Sequence, residues 1–142
     1  MKNKILNIIC SDSRFTPEKI AVMLGEDEGK VKKAIEELEN SGAVVKYSAI
    51  INKEKIDAMS VEALIEVKVT PQRDGGFDSI AEELCKFEEV KSLYLMSGGF
   101  DLAVFVEGRS LKDVAMFVSE KLAMVDNVIS TSTHFILKKY KI

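Results

Sequence analysis

A chain of 142 residues, 46% hydrophobic and 30% charged, is long enough for one ordinary domain or two small ones, and its balance is globular rather than disordered. No apolar run approaches the ~18–20 residues of a membrane span, and Ile5–Cys10 is too short and interrupted for a signal-peptide core, so no membrane contact and a cytoplasmic location are expected. The net charge is −3 and residues 1–60 hold as many cations as anions, which excludes a generally basic body; contact with nucleic acid must come from local patches.

The reactive side chains are few. Cys10 and Cys85 lie far apart in helical apolar patterns and are expected to be small buried hydrophobes rather than a disulfide or metal pair. His134 is the one histidine, so a zinc site is not expected, and no Ser-His-Asp or Cys-His arrangement can be assembled. Neither a cofactor nor catalytic residues are expected.

Up to about residue 43 the apolar spacing is helical. Ile5, Ile8 and Ile9 form one stripe, and Ile20, Met23 and Leu24 a second. Val31, Ala34, Ile35 and Leu38 form a third. Thr16 before Pro17 reads as an N-cap with proline at the first helical position, Gly25 closes that helix, and Asp27 caps the next. Ser41-Gly42 ends the third helix. A short helix, a tight turn at Glu26-Asp27 and a longer helix over 28–40 is the pattern of a helix-turn-helix, whose second helix enters a DNA major groove. A three-helix packing unit without a DNA role has the same spacing.

Val44–Ile51 alternates as a strand and suits a wing or a linker strand. Asn52–Ser60 is polar and turn-like, a hinge between halves. The division expected is therefore 1–51, a linker over 52–60, and a second domain over 61–142.

Val61, Ala63, Ile65, Val67 and Val69 alternate with polar residues as a half-buried strand interrupted by Leu64; residues 71–76 are a loop. Ile80, Ala81, Leu84, Cys85 and Phe87 make an amphipathic helix after Asp78. Residues 90–96 and 100–106 are strands joined at Ser97-Gly98-Gly99-Phe100-Asp101, where the glycine pair supplies positive φ and leaves N–H groups open to a ligand. Asp101 is a carboxylate placed to take an ammonium, or else a turn residue held by local hydrogen bonds. Ser110 caps a helix with the stripe Leu111, Val114, Ala115, Val118, Leu122 and Val125. Residues 128–139 form a last strand, with Ile129, Thr131, Thr133, Phe135 and Leu137 on one side. The order βαββαβ is ferredoxin-like, so the fold class is α+β: a winged helix-turn-helix followed by a ferredoxin-like domain. One sheet face is left open, and a second copy is expected to cover it.

The chain resembles the Lrp/AsnC family of transcription regulators over nearly its full length. The resemblance rests on Leu24-Gly25 with Val31 and Leu38, on Ser41-Gly42-Ala43-Val44 with Tyr47 and Ala49, and on Glu66-Val67-Lys68-Val69. It continues through Phe87 with Val90, Gly98-Gly99-Phe100-Asp101-Leu102, and Val128 through Leu137. It implies a DNA-binding N-terminal half and a C-terminal half that forms homodimers and larger assemblies and senses a free amino acid between subunits, against the glycine hairpin. Ser97, Gly98, Gly99 and Asp101 would then hold the effector, with Thr131 and Thr133 as further candidates. On the recognition helix Gly29, Lys30, Lys33, Glu37 and Asn40 point outward; Lys30 and Lys33 are the leading contacts to double-stranded DNA, with Lys32 flanking.

Two departures stand out. Ala34 occupies a position where the family usually carries an arginine, and the helix start is acidic, with Glu26, Asp27 and Glu28. Those acids suit a helix N-terminus electrostatically. The resemblance implies a regulator whose assembly or DNA affinity responds to an amino acid. The competing reading is a sensor module that has lost specific DNA binding. Some enzymes of this two-domain shape act as haem-pathway decarboxylases, but a single histidine and no arginine-rich pocket argue against that chemistry.

Overall fold

The computed structural model describes residues 1–142, which form two compact units, Met1–Ile50 and Ile51–Ile142. In the first unit, helices α1 (Lys2–Ser11), α2 (Pro17–Leu24) and α3 (Glu28–Asn40) pack around Ile5, Ile20, Ala21, Val31, Ala34 and Leu38. Their ends follow the punctuation of the sequence. Thr16 Oγ1 accepts from the Lys19 N–H at 3.2 Å, and Asp27 Oδ2 accepts from the Lys30 N–H at 3.1 Å. Gly25 takes the left-handed conformation, φ 65°, that ends α2.

Three details of this unit differ from the sequence reading. Met23 is exposed and Ala21 is buried in its place, because α2 is only two turns long and turns its Ile20–Ala21 side inward. Cys10 is exposed near the end of α1. Val44–Ile51 forms no strand, so no wing forms within one chain. A strand needs a neighbouring edge, and the one side-chain tie made here is the Tyr47 hydroxyl donating to Glu39 Oε1 at 2.8 Å.

The second unit is a four-stranded antiparallel sheet in the order β2-β3-β1-β4, formed by β1 (Val61–Val69), β2 (Val90–Leu95), β3 (Leu102–Gly108) and β4 (Val128–Phe135). Helices α4 (Asp78–Cys85) and α5 (Leu111–Glu120) bury one face of it. Period-two alternation puts Ala63, Ile65 and Val67 in that core, with Val104 and Val106 beside them and Ile80, Leu84, Val114 and Phe117 above. Leu64 does not interrupt the strand. It sits opposite Phe105 on the other face.

The helices also correct the sequence stripes. Cys85 is exposed, because Ile80 and Leu84 already define the inward side of α4. On α5 the buried pair is Val114 and Phe117, three apart, whereas Leu111 and Ala115 face solvent; Phe117 stacks edge-on against Phe87 at 5.5 Å between ring centres. The last strand stops at Phe135, and a register shift between Lys68 and Val69 leaves Ile129 exposed.

Residues 52–60 are fastened to the sheet. Lys53–Lys55 forms a single 3₁₀ turn, and Lys53 Nζ reaches Glu107 Oε1 at 2.7 Å and Ser60 Oγ at 3.0 Å. No helix is long and apolar enough to cross a membrane.

Candidate functional site

Two surfaces carry the residues that the sequence singles out. The first is the outer side of α3. Val31, Ala34 and Leu38 are buried, so Gly29, Lys30, Lys33 and Asn40 all face outward, together with Glu36, which the sequence reading left out. Ala34 is only 3% exposed. Its methyl is therefore part of the helical core and not of the outer side. Lys30 and Lys33 make no ion pair within the chain. Lys32 is tied to Glu28 Oε1 at 2.7 Å, one turn back, and that carboxylate raises the ammonium's pKa. Glu37 is held by Lys2 at 2.7 Å, which lowers its pKa. Lys30 and Lys33 are therefore the unpaired cations on this side of α3.

The second surface is the open face of the sheet beside the β2–β3 connection. The hairpin is anchored by Asp101. Its N–H donates to the Val67 carbonyl at 3.0 Å, its carbonyl accepts from the Met96 N–H at 2.8 Å, and its Oδ2 accepts from the Val69 N–H at 2.9 Å. One carboxylate oxygen is thus committed to holding the loop on β1. Of the glycine pair only Gly98 has positive φ, at 127°, so Gly99 is not required by the backbone. A Cβ at Gly99 would meet nothing within 4 Å. The N–H groups of Ser97, Gly98, Gly99 and Phe100 have no acceptor within the chain.

Next to the hairpin lies a cavity of about 510 Å³ lined by Glu66, Lys68, Gly99, Phe100, Ser130, Thr131 and Ser132. Of the six effector candidates from the sequence, Gly99 and Thr131 line it; Ser97, Gly98 and Asp101 belong to the hairpin without lining it, and Thr133 lies elsewhere. The register puts both Thr133, opposite Ile65, and Thr131, opposite Val67, on the helix-covered face, so neither hydroxyl is directed at the open side. The sequence reading missed Glu66, Lys68, Ser130 and Ser132. The signal was present as the polar half of the alternation in β1 and β4, which reads as plain solvent exposure until pairing places Glu66 against Ser132 and Lys68 against Ser130.

Residues 62–142 match the Lrp/AsnC ligand binding domain. The chain belongs to the Lrp/AsnC family. Among its relatives, YugG, an uncharacterized HTH-type transcriptional regulator of Bacillus subtilis, is 50% identical over 99% of this chain and 85% of its own length. The HTH-type transcriptional regulator LrpA of Pyrococcus horikoshii is 32% identical, covering 96% of this chain and 94% of its own. In fold, the chain matches the Neisseria meningitidis transcriptional regulator NMB0573, solved in complex with L-methionine. That match has a TM-score of 0.78 at 22% identity and covers 99% of this chain and 90% of the other. This Lrp/AsnC protein is accordingly a DNA-binding transcriptional regulator with a ligand-binding domain, and not an enzyme.

Proposed function

We propose that this Lrp/AsnC protein works as a homodimer or a larger closed assembly that holds double-stranded DNA through α3 and adjusts that hold, or its own assembly, when a free amino acid binds beside the β2–β3 hairpin. Residues 1–51 are read as the DNA-binding part, 52–60 as the connection and 61–142 as the part that senses and assembles. Lys30 and Lys33 are the leading phosphate contacts, with Lys32 held back by Glu28 and with Gly29 and Asn40 lying along the same outer side. The apolar residues of the open sheet face, exposed Tyr94 against half-buried Phe105 with half-buried Leu64 beside them, support coverage by a second copy. Two-fold pairing would present two copies of α3 to a roughly palindromic operator, with half-sites about 10 bp apart or a multiple of that.

The observation that carries the sensing half is the row of free N–H groups from Ser97 to Phe100 beside a cavity holding one carboxylate and one ammonium. Free N–H groups suit a carboxylate, and mixed charge suits a zwitterion. An amino-acid effector also agrees with the L-methionine complex of the Neisseria regulator. Hydrogen bonds from Ser97, Gly98 and Gly99 fit this role. Asp101 is better read as the hairpin's anchor, and Thr131 and Thr133 as part of the covered face.

Fluorescence anisotropy on DNA from the region upstream of the chain's own gene, with each standard amino acid added in turn, tests the reading. Specific binding that at least one amino acid shifts is the expected result. Stabilisation by an amino acid without any DNA binding above that of random sequence would favour the sensor that has lost its operator; the acidic start of α3, Glu26 to Glu28, is what keeps that reading in view.

A further inference from the structure

We propose that Glu66, rather than Asp101, receives the ammonium group of the amino acid, that Lys68 with the hairpin N–H groups receives its carboxylate, and that His134 competes for Glu66. This rests on the amino-acid reading above and specifies the chemistry of the site. The Asp101 carboxylate is committed through Oδ2 to the Val69 N–H, 32 residues away in sequence, and does not line the cavity. Glu66 does line it, half-buried, and no N–H or O–H within the chain donates to it at hydrogen-bond distance. The one basic side chain within 4 Å of it is that of His134, whose Nε2 lies 3.5 Å from Oε2. Lys68 lines the same cavity and has no ion-pair partner.

Glu66 and Lys68 are two residues apart on one strand, so both side chains leave the same face, with Cα atoms about 7 Å apart. An α-amino acid with a charge-assisted hydrogen bond of about 2.8 Å at each end bridges such a span. The free N–H groups of Gly99 and Phe100 stand at the same cavity to share the carboxylate. The recognition is of the α-ammonium and α-carboxylate common to all amino acids, and Ser130 and Ser132, on the same face as Lys68 and Glu66, would meet the side chain.

His134 sits on β4, an edge strand paired only with β1. Leu64 lies directly opposite it, Glu66 is the carboxylate within reach, and Ser132 Oγ is 3.4 Å from its ring. Lys68 lies further along β1 on the same side. Glu62, at the other end, is already taken by Lys139 at 2.6 Å and by Lys53 at 3.5 Å. A protonated imidazole would therefore neutralise Glu66 and not Glu62.

The test is calorimetry on the full chain, screening the standard L-amino acids and their N-acetyl and amide derivatives. The wild type should bind at least one amino acid and should lose it when the amine is acetylated or the acid amidated. Glu66→Gln should weaken the amino acid by roughly tenfold to a hundredfold, the worth of a hydrogen bond to a charged group. Asp101→Asn keeps an oxygen for the Val69 N–H and should bind within a few-fold of wild type. His134→Gln, which removes the competitor beside Glu66, should bind the amino acid at least as tightly as the wild type. Full binding by Glu66→Gln, with its circular dichroism unchanged, overturns the assignment while leaving the amino-acid reading intact. Loss of binding in Asp101→Asn, or an N-acetyl derivative that binds as well as its parent, overturns it in the same way. A wild type that binds no amino acid overturns both readings.

Discussion

Single side chains divide the two surfaces into working and structural parts. On α3, Lys30 and Lys33 are free and Lys32 is engaged by Glu28, so their contributions to DNA affinity should differ. Each phosphate that a lysine no longer neutralises reduces the slope of log affinity against log salt by about 0.9. Lys30→Ala and Lys33→Ala should each flatten the slope by about that amount, measured by anisotropy over a salt series, whereas Lys32→Ala should change it less. At the hairpin the two glycines should also separate. Gly98 holds φ at 127°, so Gly98→Ala is expected to lower stability by about 1 kcal/mol or more, read as a fall in Tm. Gly99→Ala has open space and ordinary backbone, so it should leave Tm nearly unchanged while placing a methyl at the cavity wall and weakening the effector. The sequence made Asp101 legible as a carboxylate beside a glycine turn. It could not make its duty legible, because the group it serves, the Val69 N–H, lies 32 residues earlier and comes near only through strand pairing.

Among the elements, the helix caps and the alternation of β1 were readable because both are local: Thr16, Asp27 and Ser110 each take an N–H three residues on. What a segment packs against is not local, and that is where sequence and structure part. Val44–Ile51 has the alternation of a strand but no edge beside it in its own chain, and the inward side of α5 is set by Phe117 meeting Phe87 across the unit. The segment before β1 shows the same dependence. It reads as a hinge, yet Lys53 and Ser60 clasp Glu107 on β3, both at 2.7 Å. These bonds hold the Glu107 carboxyl below its ordinary value near 4.5, Lys53 being the largest cause, and raise Lys53 in return. A depressed carboxyl contributes stability above its unfolded pKa and loses it as pH falls through the folded one. The raised lysine contributes below its ordinary value near 10.5 and loses that contribution as pH rises through the folded pKa. The clasp is thus complete between those limits. Glu107→Gln should lower stability at pH 7 by about 1 kcal/mol or less, since the pair is about a third exposed, and the difference from wild type should shrink below pH 4.5. Denaturant melts at the two pH values check this.

At the scale of the molecule, each unit has its own core, and each leaves something unfinished. The first ends in residues 44–50, which pair with no strand, and the second has a sheet face with Tyr94 exposed and Phe105 and Leu64 half-buried. Both are reasons to read the working form as an assembly of copies, and membership of the Lrp/AsnC family gives that assembly its task. The overall charge of −3 means that DNA must be held through local patches and not by a basic body, so binding through α3, as proposed, should be modest in strength and steeply salt-dependent. The central claim is that operator binding and amino-acid binding are coupled in one protein. Anisotropy of the full chain on its own upstream DNA at low salt, titrated with amino acids, measures that coupling directly. We expect binding tighter than to random DNA, with at least one amino acid shifting the dissociation constant by about fivefold or more. Binding no tighter than to random DNA, and unmoved by every amino acid, would contradict the account.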